Sequence, residues 1–380
     1  MAWHEDGKTN ALATDQEGSV KKLDVKWYRC PIERTKLREL TKRSDMMGLL
    51  FVLPQLAYFA GTAYLAHYFL VQEMWLWMAV AIYAHGVYRS IGHSGFHELS
   101  HGTVFRTRWL NSLFLRLWSI LARANYHFYK MSHTYHHLNT LYPDGDGEVV
   151  LPRTFSLKFI RLIQLFTIDF EMFVRSVING IRKAVGGKSI TVWDEWTKRL
   201  FDQNNDAAFK RVVRWERIVL LIHLAGVAVS AVTGFWMITI ALTVAPYVGN
   251  WWGFFIGGTM HAGLRDNVPD FRLCVRSVKL DPVSGYFRWN MHYHIEHHMF
   301  AAIPCYKLGK LYDEVASDMP ERRTIVGAWR EILGSQRRQK SDPSYQFDTP
   351  LPHPSVNPPM QDPLGADIGD IRPKGHTERT

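Results

Sequence analysis

The chain has 380 residues, 47% of them hydrophobic, and a formal net charge of +10 with histidine neutral. Three widely spaced cysteines, Cys30, Cys274 and Cys305, cannot supply the four thiolates of an iron–sulfur cluster, and they form no CxxC pair. The slightly negative mean hydropathy of −0.15 averages long uncharged stretches with very basic ones, so the position of the charge decides what the excess means.

The first 45 residues are polar and charged. They predict a cytosolic N-terminal segment and no cleaved signal peptide. From Met46 to Tyr88 there is no Lys or Arg, and Glu73 is the one acidic residue. That run is about twice the ~20 residues needed to cross a bilayer. Glu73 lies near its middle beside Gln72, with Trp75 and Trp77 following, which predicts a tight turn between spans near 46–70 and 74–93. Trp109 to Ala124 reads as an interfacial or re-entrant segment. Phe155 to Val185 mixes apolar residues with Lys158, Arg161, Arg175, Arg182 and Lys183. It predicts an amphipathic helix on the inner leaflet, with an ordinary cap helix as the rival reading.

Ile218 to Leu264 carries no Asp, Glu, Lys or Arg, which predicts two further spans, near 217–236 and 238–260. Residues 335–380 turn polar and Pro-rich and predict a disordered tail. Lys and Arg concentrate in the N-terminal segment, between the two hairpins and in the C-terminal third. The positive-inside rule places all three on the cytosolic side of a multi-pass protein, in a bacterial inner membrane or the endoplasmic reticulum. A membrane surface thus accounts for the charge, and no nucleic acid is required. The fold class expected is all-α and membrane-integral, with four transmembrane helices in two hairpins and a cytosolic helical cap.

The eighteen histidines are clustered. His97 and His101 are four apart and share a helical face. His133, His136 and His137 repeat the spacing of His294, His297 and His298, so each HxxHH group sets three imidazoles on one side of a helix. His261 directly follows the last apolar run. Nine imidazoles are too many for one structural zinc, which four ligands close, but they suit two metals with four or five nitrogens each. His93 and His292 extend the same stripes and are additional candidates. His85 and His223, inside apolar spans, read as polar residues facing the bundle. Glu98 and Glu296 adjoin ligand positions and are candidates to orient imidazole N–H groups. No catalytic residue is expected beyond these. Asp144 and Asp146 read as part of a Gly-rich turn.

A second class of reading also fits. His97-Glu98-Leu99-Ser100-His101 matches HExxH, the signature of a zinc metalloprotease, although it leaves the other clustered histidines without a role. A third is a non-catalytic lipid-binding or scaffold protein.

HELSH, HTYHH and HIEHH, in that order and with these intervening spans, resemble the three histidine boxes of the membrane fatty acid desaturase family. HGTVF, NMHYHIEHHMF and IPCYKL add to the likeness, which covers residues 46–330. The resemblance implies a non-haem di-iron centre, two Fe ions held by His97, His101, His133, His136, His137, His261, His294, His297 and His298. It also implies O2-dependent oxidation of a fatty acyl or lipid-like chain, most simply desaturation, with hydroxylation, epoxidation or acetylenation on the same site as alternatives. The stearoyl-CoA branch has Asn one turn before the lone histidine, where this chain has Gly257. Many relatives have Asn at His292 and Pro at Ala301. With no GxGxxG, cysteine cluster or HPGG-like haem segment, an external electron donor is implied, a ferredoxin or cytochrome b5 with its reductase.

Overall fold

The computed structural model describes residues 23–149, 159–186, 195–201 and 206–352. The start of the N-terminal segment, residues 155–158 and the end of the Pro-rich tail lie outside the described residues. The chain is mostly helical. Among the described residues its sheet is one parallel pair, β1 (Val278–Lys279) and β2 (Arg323–Thr324).

After α1 (Arg34–Leu40), helices α2 (Asp45–Val71) and α3 (Trp75–His101) form the first hairpin. Ser44 caps α2 by accepting from the Met47 N–H. The turn falls at Gln72–Met74, with Glu73 left-handed at φ 54°, where the charge pattern placed it. α4 (Arg108–Leu121) and α5 (Tyr126–Leu138) follow. α4 buries Phe114, Leu115 and Trp118 and leaves Trp109 and Leu113 exposed, as an interfacial helix would. α6 (Phe159–Phe166), α7 (Phe170–Val185), the short α8 (Glu195–Leu200) and the long α9 (Asp206–Thr233) complete the middle of the chain.

The segment read as one amphipathic helix is therefore two. Asp169 breaks it by accepting from the Met172 N–H and starting α7 anew. The last predicted span, 238–260, is broken as well. α10 (Met237–Thr239) runs into a π turn at Ile240–Val244 and a 3-10 turn at Ala245–Tyr247, and helix resumes only at α11 (Trp251–Gly257). Pro246 removes a backbone donor and Gly249 turns left-handed at φ 62°. The two breaks satisfy each other: the Gly249 N–H donates to Thr167 O and the Asp169 N–H to Tyr247 O, both at 2.8 Å. Ile168 and Val248 form an antiparallel bridge between them. Non-helical backbone away from water needs partners of this kind.

Among the described residues, two helices are long and apolar enough to cross a membrane, Asp45–Val71 and Ala207–Thr233. Both expose large apolar side chains, Leu53 and Tyr64 on one, Leu221 and Val232 on the other, as a lipid-facing surface does. Four spanning helices were expected. α3 carries Arg89 and a histidine-rich end, and the fourth segment is interrupted, so neither meets the same test. His85 and His223 tie the bundle internally. His85 contacts the Thr62 hydroxyl at 2.7 Å and Ala241 O at 3.3 Å. His223 contacts the Thr243 hydroxyl at 2.9 Å and Ile120 O at 3.2 Å.

The C-terminal third folds over the C-terminal ends of α3 and α5. It contains α12 (Phe271–Cys274), α13 (Pro282–Phe287), α14 (His294–Met299), α15 (Leu308–Val315) and α16 (Ile325–Arg338). The N-terminal segment joins it: Trp27 stacks on Phe271 at 4.0 Å and its indole N–H donates to Leu138 O. Residues 335–352, read from the sequence as the start of a disordered tail, are structured. α16 continues to Arg338, and the Phe347 N–H donates to Gly263 O while Arg265 pairs with Asp348 at 2.9 Å. The amphipathic face of α16, carrying Trp329 and Ile332, packs on Phe254, Phe255 and Ala262, and this anchors the chain that follows as far as residue 352.

Candidate metal centre

Three helices and one turn deliver the imidazoles. α3 brings His97 and His101 on successive turns. α5 is capped by Asn125, which accepts from the Phe128 N–H, and presents His133, His136 and His137. α14 presents His294, His297 and His298. His261 stands in the turn after α11. All nine are at least nine-tenths buried.

They converge in two adjoining groups. His97, His101, His133, His137 and His297 have donor atoms mutually within 4.8 Å, and so have His136, His261 and His298. His294 joins the second group, its Nε2 lying 3.0 Å from Nε2 of His261. The groups touch where His137 stacks on His298, ring centres 4.2 Å apart. His93 and His292 stand outside both groups: His93 faces the Phe96 and Tyr129 rings, and His292 packs on Tyr293.

Carboxylates and other oxygens hold the far side of five of the rings. Nδ1 of His97 lies 2.9 Å from Glu98 Oε1, and the same oxygen is 3.5 Å from Nδ1 of His297. Nδ1 of His133 lies 3.0 Å from Glu148 Oε1, and Nδ1 of His136 is 2.8 Å from Asp146 Oδ2. His261 uses Cys274 O and His298 uses the Thr140 hydroxyl, both at 3.1 Å. A hydrogen bond at Nδ1 fixes the tautomer that leaves the Nε2 lone pair free. Glu296 does something else. Its Oε2 accepts from the Ser277 hydroxyl at 2.6 Å, and Ser277 in turn accepts from the Ile295 N–H, so it braces the start of α14 rather than an imidazole.

Sequence reasoning missed Asp146, Glu148, Thr140 and the Cys274 carbonyl. The turn PDGDGE was visible, but its direction was not. Asp146 accepts from the Leu141, Glu148 and Val149 N–H groups, and that fold of the turn aims both acids back at α5.

Burial holds His97, His101, His137, His294, His297 and His298 well below the usual histidine range, and their neighbouring imidazoles add to the effect. They are neutral at physiological pH, the form that binds metals. Burial pushes Glu98 well above the carboxylate range and Glu296 up to about 7. A cation held by His97 and His297 would reverse that for Glu98. Burial also raises Glu148, but His133 outweighs it by charge and hydrogen bond and holds the carboxylate low.

The donor set fits metal ions. The Nε2 atoms of His97, His297 and His298 are buried with no hydrogen-bond partner. Nε2 of His133 lies 3.2 Å from that of His101 and 3.0 Å from that of His137. Two ligands at right angles on bonds of about 2.1 Å would stand about 3.0 Å apart.

The sequence profile of the family described as Fatty acid desaturase matches residues 73–328. The chain belongs to the fatty acid desaturase family. No curated protein matches it in sequence. Membership makes it an oxidoreductase of a family that acts on lipids at membranes with metal-dependent chemistry. It also removes the HExxH protease reading, whose general base would be Glu98, here engaged by His97.

Proposed function

We propose that this desaturase-family chain is an integral membrane di-iron enzyme that desaturates a fatty acyl chain with dioxygen, its metal site on the cytosolic face. The observation that carries the reading is the division of nine buried imidazoles into groups of five and four. Each is a nitrogen set for one ion, and none includes a thiolate.

When bound, the iron pair supplies dioxygen activation and the oxidising power to remove hydrogen from an unactivated C–H bond. The protein's own part is positional. His97, His101, His133, His137 and His297 would hold one ion, and His136, His261, His294 and His298 the other. Glu98, Glu148 and Asp146 keep the imidazoles turned with Nε2 inward. The buried cluster excludes bulk water, which protects a strong oxidant from side reactions. Desaturation removes two hydrogens from the chain while dioxygen becomes two waters, so two further electrons and two protons must come from outside. An external ferredoxin or cytochrome b5 with its reductase would supply them, and the basic cytosolic segments suit an acidic donor.

The test is expression in a host with a matching reductase, followed by mass spectrometry of total lipids and elemental analysis of the purified protein. Products lacking two hydrogens, with iron as the resident metal, are expected. Products carrying one added oxygen would instead assign a hydroxylase or epoxidase. A single zinc and no iron would sink the reading.

A further inference from the structure

Arg288 follows α13 and begins a strained turn. Trp289 and Asn290 both lie in the left-handed region, at φ 54° and 56°, where residues other than glycine are uncommon. The turn is pinned on both sides. The Trp289 indole N–H donates to Gln55 Oε1 at 2.8 Å, and the Asn290 amide donates to Cys305 O at 3.1 Å. Strain held by specific contacts marks a segment whose exact course matters.

That course directs the Arg288 guanidinium inward. The residue is 6% exposed. Its Nη2 lies 3.5 Å from Met260 Sδ, one residue before His261, and 3.5 Å from where a Cβ on Gly257 would stand. Nε is buried with no partner. Thioether sulfur is a weak acceptor, and no carboxylate is within ion-pair distance of Arg288 among the described residues. Burial lowers its pKa only to about 10, so the charge persists at neutral pH. A buried cation without a counter-charge is costly.

A second cation, Arg89, lies on the histidine stripe of α3, its guanidinium over the Phe59 ring at 5.5 Å. His85, Arg89, His93, His97 and His101 recur every four residues along α3 and form one slowly winding stripe. Arg89 is half-buried and its Nε, too, is buried without a partner. His93 is exposed although Gly92 and Ser94 on either side of it are buried, so its ring borders open space. Arg89 and Arg288 are both within electrostatic reach of it.

We propose that Arg288 receives the carboxylate of the acyl substrate inside the protein, beside the imidazoles of His261 and His294. The substrate class is then a free fatty acid that enters carboxylate first and is oxidised near its polar end. A thioester or glycerolipid, whose head group would stay at the membrane surface, does not fit. This rests on the functional reading above.

The test compares binding of hexadecanoic acid, its methyl ester and acetate to the purified metal-loaded protein, wild type and variants. The acid is expected to bind at least about tenfold more tightly than the ester, as a charge-assisted hydrogen bond provides. Arg288→Gln should abolish the preference, while Arg288→Lys, which keeps the charge, should retain most of it, with metal content unchanged in both. Equal binding of acid and ester by wild type, or a preference that survives Arg288→Gln, overturns the proposal. So does acetate binding as tightly as the long acid, which would mean a resident small anion. Wild type that prefers the acid but oxidises no lipid sinks the functional reading and leaves the carboxylate site standing. Wild type that oxidises lipids without the preference does the reverse.

Discussion

Asp146 Oδ2 lies 2.8 Å from Nδ1 of His136, ten residues back in the chain, and two residues on Glu148 makes the same contact with His133 at 3.0 Å. One turn thus orients two imidazoles in different groups. Glu148 is the cleaner target, because its other contact is the Ser132 hydroxyl, whereas Asp146 also holds three backbone N–H groups. Glu148→Gln should weaken metal binding about 10–100-fold with the helical circular dichroism unchanged. Metal titration of the chelated protein checks this, and wild-type affinity in the variant would reduce Glu148 to a turn residue.

The two imidazole groups predict separable losses. His101→Ala removes a nitrogen from the five-membered group alone, and His261→Ala one from the four-membered group alone. Each variant should retain one ion per chain firmly while the other becomes removable by mild chelation. Loss of both ions together from each variant would indicate a single site instead.

Gly95 lies two residues before His97, where α3 meets two indoles. A Cβ there would stand 2.7 Å from Trp289 and closer still to Trp118. Gly95→Val should cost about 1–3 kcal/mol through overpacking. It should also lower metal occupancy, because α3 must move away with His97. Thermal unfolding and elemental analysis of one preparation measure both effects, and an unshifted melting temperature would contradict the packing argument.

Arg272 is fully buried, 2.8 Å from Asp270 and 2.7 Å from Asp318, with the Tyr28 ring against its guanidinium at 4.0 Å. It joins the N-terminal segment to the cap. Arg272→Met leaves the Asp270 carboxylate buried and unpaired, at a cost of about 3–5 kcal/mol. Lys36→Ala, which breaks the exposed pair with Glu314, should leave the unfolding midpoint unmoved. Equal effects of the two would place the stability elsewhere.

What could be read from the residues was what repeats. HxxHH is a helical pattern wherever it occurs, so the shared face of His133, His136 and His137, and that of His294, His297 and His298, followed from spacing alone. Glu73 marked its turn because a charge interrupts an apolar run. The partners of the imidazoles were hidden because tertiary placement alone makes Asp146 or the Cys274 carbonyl face a ring. Glu98 and Glu296 looked equivalent beside their boxes, yet one faces two histidines and the other a serine. The broken last span did carry a local signal, Pro246 with Gly249, which a long uncharged run outweighed. Arg288 gave none, since one arginine in a basic third of the chain says nothing about burial.

α3 runs without interruption from Trp75 to His101, about 40 Å at 1.5 Å per residue. The same rigid rod that pairs with α2 ends in two of the imidazoles. A change in its tilt therefore swings His97 and His101 relative to the α5 and α14 sets. The packing of the first hairpin is thereby coupled mechanically to the geometry of the imidazole cluster.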